Sequence, residues 1–74
     1  MREYMEKKGS VSLTVRETAD KWESTWTIKR EYSTGPMGNR VVQLASGKVS
    51  SDNRCFEKAM QRGIRELRRY VVGE

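Results

Sequence analysis

Residues 54–70, RCFEKAMQRGIRELRRY, constrain the fold of this chain more than any other stretch. Placed at about 100° per residue, Phe56, Ala59, Met60, Gly63, Ile64, Leu67, Tyr70 and Val71 fall within an arc of about 140°. A face of that width has to be covered by a second layer, so a helix over roughly 53–72 requires a sheet to lie on. Gly63 stands in the middle of the arc. It costs a helix about 1 kcal/mol relative to alanine, and close approach to the covering layer is the expected reason for it.

The upstream sequence supplies candidate strands. In residues 10–17, SVSLTVRE, Val11, Leu13 and Val15 alternate with Ser12, Thr14 and Arg16, the period of a half-buried strand. TADK (18–21) reads as a turn. In residues 22–32, WESTWTIKREY, Trp22, Trp26, Ile28 and Tyr32 share one side. Ser24 and Arg30 interrupt that side, so its inward part is centred on Trp26 and Ile28. Two such runs joined by a short polar turn form an antiparallel hairpin.

STGPMGN (33–39) is loop-forming, and RVVQLAS (40–46) is a third strand. Val42 and Leu44 are preferred as its inward set over Val41 and Ala45, for their larger side chains. GKVSSDN (47–53) reads as a turn in which Ser51, Asp52 or Asn53 caps the helix. MREYMEKK (1–8) could form a short N-terminal helical turn stopped by Gly9. The expected fold is α+β, a three-stranded antiparallel sheet packed against one C-terminal helix (β-β-β-α), in a single domain spanning 1–74.

Seventy-four residues with 35% apolar and 34% charged composition leave a thin core, which a second copy could help to cover. A homodimer is therefore one expected partner arrangement, with the third strand as a sheet edge. Cys55 is the single cysteine and there is no histidine, so the chain cannot build a zinc site, and no cofactor is expected. A lone thiol suits a reducing compartment. No apolar run is long enough for a membrane span and the N-terminus lacks that of a signal peptide, so the expected location is cytoplasmic.

The helix's second face carries the functional signal. Arg54, Lys58, Arg62, Arg65 and Arg69 fall within about 80° of one another, opposite the apolar arc, and Arg68 borders them. Arg54–Lys58, Lys58–Arg62 and Arg65–Arg69 are like-charge neighbours one turn apart, while Arg62–Glu66 is the opposite-charge pair. Such a stripe fits a solvated outer face, a phosphate backbone or an acidic protein surface. A membrane-surface role conflicts with the need of the apolar face to cover the sheet. Trp22, at a strand's end, is a candidate for exposure and for stacking on unpaired bases, whereas Trp26 is expected in the core.

No catalytic constellation is present. GPMGNR lacks the length and the trailing Lys-Ser/Thr of a phosphate-binding loop. Without histidine there is neither a Ser-His nor a Cys-His pair. Cys55, in the first helical turn, reads as a small structural residue rather than a reactive thiol. The chain is expected not to be an enzyme.

A short helix, three antiparallel strands and a C-terminal helix together resemble the layout of the double-stranded RNA-binding domain. GKVSSDNRCFEKA (47–59) is similar to that family's turn into its last helix, with Ala59 matching a small residue that packs on the sheet. Where the family grips phosphate with lysines, this chain has Asp52, Asn53, Arg54 and Phe56, of which Arg54 is basic. The strand order followed by FEKAMQ also resembles some small anti-CRISPR proteins.

The resulting expectation is a small, non-catalytic binding protein. It would contact nucleic-acid phosphates through Arg54, Lys58, Arg62, Arg65, Arg69 and Lys48. The alternative is a protein-binding module, such as a phage- or mobile-element-type inhibitor of host machinery, docking its basic helix on an acidic surface. A compact chain opening on methionine suits such a module.

Overall fold

The computed structural model describes residues 2–18, 22–33, 35–50 and 54–72. It is α+β: an antiparallel sheet with one C-terminal helix. The strands are β1 (Glu3–Lys8), β2 (Val11–Glu17), β3 (Glu23–Ser33) and β4 (Asn39–Ser50), hydrogen-bonded in that order, and the helix is α1 (Cys55–Val72). A 3-10 turn at Gly35–Met37 sits in the expected loop between β3 and β4.

The sheet has four strands rather than three, because residues 3–8 form a strand instead of a helical turn. Tyr4 pairs with Val15, Glu6 with Leu13 and Lys8 with Val11. Gly9 stops no helix; with φ at 63° it opens the two-residue turn joining β1 to β2. A lone helix of two turns gains too little from its own hydrogen bonds, whereas the unpaired edge of β2 offers a full ladder. The helix implied at this end by the double-stranded RNA-binding layout is accordingly not formed.

β2 and β3 follow their alternation. Val11, Leu13, Val15, Trp26 and Ile28 are buried, while Trp22 and Tyr32 lie exposed at the two ends of the β3 segment. Ser24 is fully buried too. Its Oγ lies 3.6 Å from the Sγ of Cys55, so the two small polar groups satisfy each other beneath the start of α1.

β4 departs most from expectation. It extends through Gly47–Ser50, which pair with Trp26–Glu23, so the anticipated turn there is strand. A β-bulge opposite Ile28/Lys29 inserts Leu44 between Gln43 and Ala45 and shifts the alternation. As a result Leu44 and Ala45, taken from the two competing inward sets, both pack on the core with Val49. Val41 is 55% exposed. The helix-cap candidates Ser51, Asp52 and Asn53, and most of the TADK turn, lie outside the described residues.

α1 lies across one face of the sheet, burying Phe56, Ala59 and Leu67 against it, with Met60, Ile64, Tyr70 and Val71 at the margins. Gly63 faces the sheet at close range. A Cβ there would stand 2.6 Å from Leu13 Cδ1 and 3.3 Å from Trp26 Cβ. Arg2 fastens the other end of the chain to this helix. Its guanidinium lies 4.7 Å from the Phe56 ring centroid and 2.8 Å from Glu17 Oε2.

Candidate nucleic-acid interface

Burial of the apolar arc turns the opposite face of α1 to solvent, and Arg54, Lys58, Arg62, Arg65 and Arg69 are all exposed. The structure does not keep them as one uniform stripe. Lys58, Arg62 and Arg65 form one wall of a groove of about 400 Å³, together with Gln61. Lys48, Val49 and Ser50 of β4 form the other wall. Lys48, a residue expected in a turn, thus lines the groove from a strand edge, and its pairing with Thr25 places it on the sheet face away from α1.

Arg54 and Arg69 are not among the lining residues. Arg54 stands one turn before Lys58, whose backbone N–H donates to the Arg54 carbonyl at 3.0 Å. Glu66, the opposite charge one turn after Arg62, pairs with Arg69 at 3.5 Å. A smaller depression of about 200 Å³, lined by Trp26, Arg62, Arg65 and Glu66, shares two cations with the groove. Among the described residues no carboxylate lines the groove itself. Glu23, on the neighbouring strand, approaches Lys48 Nζ at 3.9 Å.

The β4 wall is the free edge of the sheet. The direction of its backbone groups follows from β3. Glu31 N–H donates to the Ser10 carbonyl at 2.8 Å, and the Glu23 carbonyl accepts from Thr18 N–H at 2.9 Å. Odd-numbered residues of β3 therefore face β2, and even-numbered ones face β4. Ser24, Trp26 and Ile28 pair with Val49, Gly47 and Ala45, which leaves the backbone groups of Ser46, Lys48 and Ser50 directed outward. Sequence reasoning expected an edge on this strand but ended the strand at Ser46, because a glycine-led segment ahead of a helix cap reads as a turn.

Trp22 is 60% exposed and immediately precedes Glu23, whose register partner is Ser50 at the groove's end. Trp26, by contrast, is core, with only the margin that lines the smaller depression reaching the surface.

The resolved pKa shifts lie away from the groove. Its hydrogen bond to Arg2 holds the Glu17 carboxyl below the usual carboxylate range, and the same contact raises Arg2. Hydrogen bonding to Glu6 raises the Tyr4 phenol. Cys55 is buried, in keeping with a structural role. Among the described residues no group of three or more His, Cys, Asp or Glu side chains is placed to hold a metal ion. No described helix is long and apolar enough to cross a membrane.

No protein-family model, curated protein or solved structure matches this chain.

Proposed function

We propose that this chain is a non-catalytic binding protein that takes nucleic-acid phosphates into the groove between the β4 edge and α1. One observation carries the reading: Lys48 at the β4 edge and Lys58, Arg62 and Arg65 on α1 line a single groove in which, among the described residues, no carboxylate takes part. Along α1 these cations recur at steps of about 6 and 4.5 Å, given a rise of 1.5 Å per residue. Gathering like charges costs a few tenths of a kcal/mol per neighbouring pair, and a bound polyanion offsets that cost. Arginine adds bidentate geometry toward phosphate oxygens.

Four neutralised phosphates predict that log K falls against log salt with a slope of about −3.6 on duplex and about −2.8 on a single strand. Oligonucleotide affinity measured across a salt series tests this. A slope near zero, or no binding at low salt, would remove the phosphate reading.

A second reading has its own observation. The outward backbone groups at Ser46, Lys48 and Ser50 offer donors and acceptors in alternation, the pattern that receives an added peptide strand. An acidic protein segment would satisfy both that edge and the cations. Capture from a bacterial lysate with and without nuclease separates the readings. Loss of all partners after nuclease supports nucleic acid, and a retained protein supports the peptide.

A further inference from the structure

We infer that the ligand of this groove is a single nucleic-acid strand rather than a duplex, with Trp22 stacking on an unpaired base at the Ser50 end. The inference rests on the phosphate reading above and deepens it.

The groove runs beside the outer edge of β4, where no further strand pairs among the described residues. A sheet edge takes one extended chain alongside it, at the spacing of about 4.8 Å between neighbouring strands. A single polynucleotide chain can lie along the groove and meet the outer edge of β4, where Lys48 stands, and Lys58, Arg62 and Arg65 of α1. A duplex is a rod whose two backbones flank grooves of about 6 and 12 Å. It would ride over the crest of α1 and leave the β4 wall untouched.

The outer edge of β4 adds neutral donors. The N–H groups of Ser46, Lys48 and Ser50 recur at every second residue, about 6.8 Å apart. Phosphate oxygens lying along the groove can accept from them as well as from the cations. A second copy of this chain is a poor occupant of the same place. Edge-to-edge pairing of β4 would bring the two sets of Lys48, Lys58, Arg62 and Arg65 toward each other, and like charges beside an edge oppose such pairing.

Trp22 is the independent observation. A cationic groove that follows the backbone, with an aromatic at its end on which a base can stack, is the arrangement that binds single strands with little sequence preference. Trp22, 60% exposed, immediately precedes Glu23, the register partner of Ser50, and so stands next to that end of β4 without lining the groove. With Lys58, Arg62 and Arg65 engaged on phosphates, Gln61 is the lining side chain left to read a base edge, so sequence preference is expected to be weak.

The test compares oligothymidylate of about 12 nucleotides, a length within known single-strand site sizes, with the same strand annealed to oligoadenylate. A glutamate-rich peptide is the third probe. Binding is followed by anisotropy of the labelled probe and by quenching of protein tryptophan emission. The expected result is single-strand binding at least tenfold tighter than duplex binding. Trp22→Ala should weaken the single strand about tenfold, leave duplex binding unchanged and abolish most of the quenching; Trp22→Phe should restore part of the affinity.

Equal or tighter duplex binding, or single-strand affinity untouched by Trp22→Ala, overturns the inference while leaving the phosphate reading in place. Failure of both nucleic acids to bind overturns the phosphate reading and this inference together. Binding of the peptide alone does the same in favour of strand addition.

Discussion

The indole of Trp26 lies over Gly47, close enough that a Cβ on residue 47 would stand 2.5 Å from ring atoms Cε2 and Cζ2. The pair joins the two halves of the account. Gly47 lets the ring settle across β4, and the ring's margin then lines the depression that Arg62 and Arg65 share with the groove. Gly47→Ala forces the ring or the strand to move. A loss of about 1–3 kcal/mol in unfolding free energy is expected, read from denaturant titration, together with a changed Trp26 emission. Unchanged stability would show that the ring is not held there.

Gly63 sets two effects against each other. Alanine would favour the helix by about 1 kcal/mol, but its Cβ would stand 2.6 Å from Leu13 Cδ1. Overpacking is expected to win, so Gly63→Ala destabilises. In a Leu13→Ala background the obstruction is gone and the same substitution should become neutral or stabilising. A double-mutant cycle measures that coupling, and additive effects would refute the close approach.

Acid should release the N-terminal clasp. The Glu17 carboxyl is held below its ordinary value by Arg2, so its contribution to stability is present above the unfolded-state pKa. That contribution fades as pH falls through the folded-state value. Wild type should exceed Glu17→Gln in stability at neutral pH and converge with it on acidification. A constant difference at all pH values would contradict the pairing.

Alkali should act at Tyr4, whose phenol donates to Glu6 Oε1 at 2.7 Å and titrates above its usual value. A raised value means that this contribution is complete below the unfolded-state pKa and is lost as pH rises through the folded one. Phenolate absorbance should show the Tyr4 titration moving downward in Glu6→Gln. No movement would show that the hydrogen bond does not persist in solution.

Much of this architecture is legible in the residues, and the exceptions have physical causes. The helix and the Val11–Leu13–Val15 and Trp26–Ile28 faces carry periodicities that local geometry imposes. β1 carries no such pattern, since Tyr4, Glu6 and Lys8 become a strand only by pairing with β2. In β4 the bulge at Leu44 changes the phase midway, and Gly47 reads as a turn until Trp26 is seen to need it. The cations at 58, 62 and 65 are visible from their angular placement on a helix. That Lys48 lines the same groove from the β4 edge, and that Arg54 and Arg69 stand apart, depends on where β4 ends and on the Glu66–Arg69 pair. The Arg2 contacts with Glu17 and Phe56 join residues distant in sequence, and no local signal announces them.

Under the proposed function, the position of the charge, not its amount, determines binding. Lys58, Arg62 and Arg65 line the groove. Lys7, Arg16 and Lys29 lie on the uncovered face of the sheet, on register positions next to Met5, Thr14 and Thr27. Changing either set to glutamine removes the same three charges. Oligonucleotide affinity measured against salt for the two triple variants should separate them. The groove variant is expected to lose about three contacts, lowering the salt slope by about 2–3 and the affinity accordingly, while the sheet-face variant stays close to wild type. Equal losses in both would mean that net charge alone attracts the ligand, and would contradict the groove as the site.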